Sequence, residues 1–282
     1  MAKLLSSFRT TFLLSILLAG VMIFAFGRIA PGGFDIGFAQ AAFRWVHVVA
    51  GILWIGLLYY FNFVQIRVMP AIPAELKPAV SKHIAPEALF WFRWSALVTV
   101  LAGLAVMFTR GHAYAMEVLS FGLAGGLNAG DQQFSLMGIG VWLAVIMFLN
   151  VWGVIWPNQK VVIQNAIDTA AGRPANPAAA GAGARAGLAS RTNTLLSIPM
   201  LFFMGAASHL AMPGPMSGGQ KWGALILLAI VIIAVEFNAL AGPAMGDKTS
   251  GGKKMLASLK KTFWAGFILT AILYFVLAKL FG

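Results

Sequence analysis

The sequence predicts an all-α, polytopic transmembrane helical bundle of about seven spans, and three observations lead there. Of the 282 residues 60% are hydrophobic and only 10% are charged, whereas a soluble domain carries about a quarter charged residues. Apolar runs recur along the chain, and roughly 20 residues rising ~1.5 Å each cross a ~30 Å hydrocarbon layer. The net charge of +12 comes from basic residues that fall between these runs. They form no aromatic-interleaved patch, which excludes nucleic acid as a partner and leaves the lipid bilayer.

The runs cover residues 11–27, 44–65, 89–109, 137–156, 194–211, 222–240 and 262–280. The first has the basic start of a signal peptide, and we read it as a retained span. With the amino terminus cytoplasmic, segments on that side hold most of the twenty lysines and arginines, among them Lys3, Arg9, Arg67, Lys77, Lys82, Lys160, Arg173, Lys248, Lys260 and Lys261. The opposite side holds Arg28, Arg44, Arg110, Lys221 and Lys279. The positive-inside rule then puts the amino terminus in the cytoplasm and the carboxyl terminus in the periplasm. Residues 1–282 read as a single integral membrane domain, without a second soluble domain or an internal repeat.

Three connecting segments stand out. Residues 67–88 form a Pro-rich cytoplasmic loop containing His83. Residues 111–134 include HAYAMEVLSFGL, expected as an interfacial helix lying like a lid over the outer mouth. Residues 170–187, AAGRPANPAAAGAGARAG, read as a mobile cytoplasmic linker.

Chemistry must come from the few polar groups within the spans. His47, near the outer end of the second run, and His209, near the outer end of the fifth, reach the same depth. Each has a glycine one turn deeper on its own face, Gly51 and Gly205, leaving room for a flat macrocycle. Neutral imidazole is an axial ligand of haem iron, and non-covalent haem b needs no cysteine, of which the chain has none. His47 and His209 are therefore the candidate metal ligands, with Gly51 and Gly205 completing the cofactor site. The alternative is that each histidine snorkels to the interface or bonds a neighbouring helix. Met212 is another conceivable ligand beside a packing role, and His83 and His112 read as loop residues.

A second polar group lies at the cytoplasmic end. It holds Asn62, Gln65, Arg93, Asn150, Asn158, Gln159, Arg191, Asn193, Glu236 and Asn238. Asn62, Gln65, Asn150 and Asn193 suit a polar, planar substrate, with Arg93 as a clamp and Glu236 as a proton acceptor. The alternative is a satisfied interhelical network in which Arg93 pairs with Glu236 or turns outward. Asn62 lies about 22 Å along the helix from His47, so a quinone enters as a further cofactor candidate to bridge the two groups.

RWVHVVAGILWIGLLYYF at residues 44–61, WFRW at 91–94, NVWGVIWPNQKVVI at 150–163 and RTNTLLSIPMLFFMGAASH at 191–209 resemble the integral membrane domain of bacterial membrane-bound urate oxidases, or urate hydroxylases. In that family the domain is joined to a carboxyl-terminal cytochrome c, so the resemblance implies a short form in which urate's electrons pass to a separate cytochrome c or another respiratory-chain subunit. It also implies a multi-pass protein of the bacterial inner membrane. The stretch around His47 more loosely resembles haem-binding membrane proteins, including the oxygen-independent type of protoporphyrinogen oxidase. The expected function is a haem b oxidoreductase of the urate oxidase membrane-domain type. The alternative is a non-catalytic haem-binding or anchoring subunit of a larger respiratory complex. A transporter is disfavoured by the lack of paired inverted halves, and a retinal protein by the lack of a mid-membrane lysine in the last run.

Overall fold

The computed structural model describes residues 6–124, 131–210, 217–240 and 251–281, and all secondary structure among them is helical. Helix α1 spans Phe8–Ile29. Helix α2 runs over Ile36–Tyr59 and continues through a π-helical turn, Tyr60–Gln65, as far as Ala71. Helix α3 starts at Lys77, passes a π turn at Val80–Ile84 and continues over Ala85–Thr109. The short α4 is His112–Leu119. Helix α5 covers Asp131–Leu149, a π turn at Asn150–Ile155 and Trp156–Ala170. Four more follow: α6 (Ala179–His209), α7 (Gly218–Leu240), α8 (Gly251–Ala257) and α9 (Leu259–Phe281).

Six of these helices, α1, α2, α3, α5, α7 and α9, are long and apolar enough to cross a membrane. The protein is thus a multi-pass helical membrane protein suited to a lipid bilayer. The expected fifth span, residues 194–211, is the one that differs. Its described part belongs to α6, a 31-residue helix in which Ser190, Thr192, Asn193, Thr194 and Ser197 are all buried. A helix enclosed by other helices does not need a lipid-compatible surface, so α6 is too polar to register by hydropathy while occupying the centre of the bundle.

Pair contacts fix the directions of the helices around α6. Along α5 it runs antiparallel, with Gly183 facing Val162, Asn193 facing Asn150 and Met204 facing Gly140. Against α2 it is also antiparallel, through Tyr59–Ser197 and Asn62–Ser190 hydrogen bonds. Helix α9 lies parallel to it, with Gly266 on Ile198 and Tyr274 on Phe202. Helices α2 and α3 pair antiparallel from Gln40–Thr109 to Phe61–Phe92. Helix α1 is peripheral, with Gly27 alone buried. At Gly266 an added Cβ would lie 2.6 Å from Ile198 Cδ1 and 2.9 Å from the Leu195 carbonyl oxygen. Gly266→Val is therefore expected to cost about 1–3 kcal/mol of stability through overpacking, read as a lowered Tm in detergent; an unchanged Tm would mean that α9 does not pack on α6 in this register.

The connections are more helical than the composition suggests. Residues 67–88, expected as a loop, are helical except at residues 72–76. The expected mobile linker is helical from Ala179 onward, with Ala182 and Ala186 buried against its neighbours. Alanine is the best helix former, and small side chains let helices approach closely, so the composition that reads as a linker also builds a tightly packed helix end. The short helix predicted at the outer mouth is α4, but it is seated on α5: Trp142 Nε1 donates to the Leu119 carbonyl at 3.0 Å, and Gly138 gives way to the Val118 carbonyl. Lys221, counted from the sequence among the cations on the periplasmic side, is buried and donates to the Gly122 carbonyl at 2.7 Å. Met212, Lys3 and Lys248 lie outside the described residues.

Two of the three π turns have a local cause. Val80–Ile84 precedes Pro86, and Asn150–Ile155 precedes Pro157. Proline lacks the N–H that the α pattern needs and its ring presses on the preceding turn, so the helix widens there without breaking. The third, Tyr60–Gln65, contains no proline. It carries Asn62 and Gln65, and the turn at Asn150–Ile155 carries Asn150. Both expected amide-bearing helix ends are therefore π-helical, a distortion frequent at functional sites.

Candidate functional site

The predicted inner polar group is assembled by the fold, and it divides into a closed half and an open half. The closed half joins α5, α6 and α7. Asn150 Nδ2 donates to Asn193 Oδ1 at 3.0 Å and to Glu236 Oε1 at 2.8 Å. Asn193 Nδ2 in turn donates to the Met147 carbonyl at 2.9 Å. Asn193 is fully buried and Asn150 nearly so. This half is the interhelical network weighed from the sequence, except that Glu236 is bonded to Asn150 and not to Arg93.

The open half lies on α2, α3 and the start of the buried part of α6. Asn62, fully buried, uses Nδ2 on the Leu58 carbonyl at 2.9 Å and on Ser190 Oγ at 2.8 Å, while its Oδ1 has no partner. Gln65 Oε1, Arg93 Nη1 and Arg191 Nη1 are likewise buried atoms without a hydrogen bond. Arg93 is held by its faces, its guanidinium carbon 3.9 Å from the Trp156 ring centroid and 5.1 Å from that of Phe90. Among the described residues no carboxylate forms an ion pair with it. Trp152 Nε1 donates to the Arg93 carbonyl at 3.2 Å, and the α5–α6 register places Arg191 level with Trp152. The backbones of Arg93, Arg191 and Asn62 therefore lie near one level of the bundle, with the Arg93 guanidinium carried one turn along α5 onto Trp156. Buried donors and acceptors left unpaired cost about 1–3 kcal/mol each. Cationic donors and amide oxygens are, as residue types, complementary to a planar molecule that presents both carbonyl oxygens and ring N–H groups.

The histidines lie at the other end. His47 precedes Tyr59 by twelve positions and His209 follows Ser197 by twelve. Because Tyr59 and Ser197 are hydrogen-bonded at 3.0 Å on antiparallel helices, both imidazoles sit about 18 Å beyond the same contact. The matched depth read from the sequence is thus a property of the fold. His47 Nδ1 is 2.8 Å from the Thr99 carbonyl oxygen, and His209 Nδ1 is 2.9 Å from that of Gly205. A carbonyl only accepts, so each Nδ1 carries a proton, and in a neutral ring that arrangement leaves the lone pair on Nε2, the tautomer of an orienting bond behind a metal ligand.

His47 is half-buried and His209 exposed, and among the described residues neither a hydrogen bond nor a ring contact joins them. A Cβ at Gly205 would meet nothing within 4 Å, and one at Gly51 would meet Thr99 Cγ2 at 3.7 Å. The glycine that seats the His47 ring is Gly103 of α3, where a Cβ would lie 3.0 Å from His47 Cε1 and Nδ1. Sequence spacing along one helix could not reveal it, because the contact crosses to a neighbour. His83 and His112 are exposed. Among the described residues no cluster of three or more His, Cys, Asp or Glu side chains could hold a metal ion; a haem iron needs only one or two axial ligands.

Fold and site together define a multi-pass helical membrane protein with a polar centre built into two π-distorted helices. Residues 125–241 match the family model described as urate oxidase N-terminal, so this stretch is similar to that domain. It contains Asn150, Arg191, Asn193, Gly205, His209 and Glu236, and two of the four resembling segments. His47, Asn62, Gln65 and Arg93 lie before it. No curated protein and no solved structure matches the chain.

Proposed function

We propose that the protein is the membrane-embedded part of a urate-oxidising oxidoreductase of the bacterial inner membrane. Urate binds at the amide end, and its electrons are delivered to a cytochrome c or another respiratory-chain subunit on the periplasmic side. The observation that carries this reading is the open half of the polar cluster: buried atoms without a hydrogen bond on Asn62 and Gln65 of α2, Arg93 of α3 and Arg191 of α6, the last within the stretch that matches the urate oxidase model. Arg93 clamps the substrate's oxygens, and Glu236, fixed in place by Asn150, accepts the proton released on oxidation.

His47 and His209 suit non-covalent haem b, because both present a free Nε2 at the same depth. Such a haem supplies one-electron redox chemistry near the face where an acceptor docks. Gly103→Val should push the His47 ring off Thr99 and lower haem content, read as haem absorbance per protein. Gly56→Ala, where an added Cβ meets nothing within 4 Å, should leave it unchanged; equal haem content in both variants would remove His47 from the ligand set.

Membranes containing the protein should reduce added cytochrome c when urate is supplied, and membranes lacking it should not. Absence of urate-dependent reduction overturns the functional reading.

A further inference from the structure

A cavity of about 570 Å³ opens at the amide end, between α2, the π turn of α3, α5 and α6. Its polar lining is Gln65, Lys77, Ser81 and Gln159, and Val162 and Ile163 supply apolar walls. The volume falls within the range of small-ligand sites, on the order of 300–1,000 Å³. Gln65 belongs to both the cavity and the open half of the cluster, and its Oε1 is buried without a partner. Asn62 lies one turn, roughly 5 Å, further along α2 from this lining residue.

The lining chemistry limits the ligand. The Lys77 ammonium favours an anion, and among the described residues it forms no ion pair. Val162 and Ile163 of α5 and, across from them on another helix, Ile66 and Met69 of α2 supply apolar surface for a ring. A deprotonated oxidised purine, the class of substrate proposed above, combines an anion with a planar ring.

We propose that this cavity is the docking site through which an anionic, planar heterocycle enters the polar cluster, with Lys77 as the residue that selects the anion. The inference rests on the functional reading above, and it adds Lys77 and the cavity, which that reading does not use. Equilibrium dialysis of radiolabelled urate against the purified, haem-loaded protein in detergent tests it without turnover. Lys77→Gln is expected to weaken urate binding by about tenfold or more. Gly183→Leu, whose side chain would project toward Val162 from a position where a Cβ already lies 3.5 Å from Val162 Cγ2, should reduce it further by filling the cavity. If Gly183→Leu does not fold, Lys77→Gln alone decides. Wild-type affinity in a folded Lys77→Gln variant overturns the docking site and leaves the functional reading standing. Failure of the wild type to bind urate overturns both. Displacement of urate by a short-chain quinone, with loss of quinone binding in Lys77→Gln, would reassign the cavity to a quinone and overturn the anion proposal.

Discussion

Arg93→Ala is expected to lower kcat/KM for urate-dependent cytochrome c reduction by about a hundredfold or more, the scale of losing a positioning clamp at a reacting centre. The guanidinium is stacked on Trp156 and Phe90 with one buried Nη1 free, so its orientation is set before any ligand arrives. Arg93→Lys tests that orientation directly. Lysine keeps the charge but lacks the planar fork and the stacking face, so it should recover only a small part of the activity. Full activity in Arg93→Lys would mean that the site uses charge alone. Full activity in Arg93→Ala would remove Arg93 from the site. Both variants are compared at matched haem content and matched elution volume, which separates a lost clamp from a misfolded chain.

Asn150→Leu should be the most destabilising change at the polar centre. One side chain satisfies a buried acceptor, Asn193 Oδ1, and a half-buried one, Glu236 Oε1, and its loss strands both. The cost is about 3 kcal/mol, the sum of two unmade bonds, one of them to a carboxylate. Removing the second partner as well is cheaper than leaving it stranded, so adding Glu236→Leu to Asn150→Leu should recover part of the lost Tm. A double variant less stable than either single one would show that the two side chains are not coupled. The same pair reports on chemistry, since Asn150 also holds the carboxylate assigned to take the substrate's proton.

How far these features could be read from the sequence depends on what each signal measures. Hydropathy measures lipid contact, and it found α1, α2, α3, α5, α7 and α9. It placed α6 correctly as a run but misjudged its character, because Ser190, Asn193 and Ser197 face protein. Helix ends were underestimated where polar or Ala/Gly-rich sequence stays helical by packing, as at residues 77–88 and 179–187. The histidine depth was legible because rise per residue is fixed, and the Tyr59–Ser197 bond supplies the common reference. Which amides are closed and which open was not legible, since it depends on the α5–α6 register. The place of Gly103 against His47, and of Lys77 and Ser81 in the cavity wall, was hidden for a related reason: each is set by an interhelical contact. Pro86 and Pro157 were the available signal for the π turns, and the turn bearing Asn62 and Gln65 had none.

The central claim is that urate is oxidised at the amide end and that its electrons leave through a protein acceptor. The most direct measurement is urate loss by the purified, haem-loaded protein under nitrogen, with and without oxidised cytochrome c. The account predicts loss of urate only when the cytochrome is present, in step with its reduction, and slowed about a hundredfold or more in Arg93→Ala. No urate loss under those conditions, or loss that requires oxygen, would contradict it.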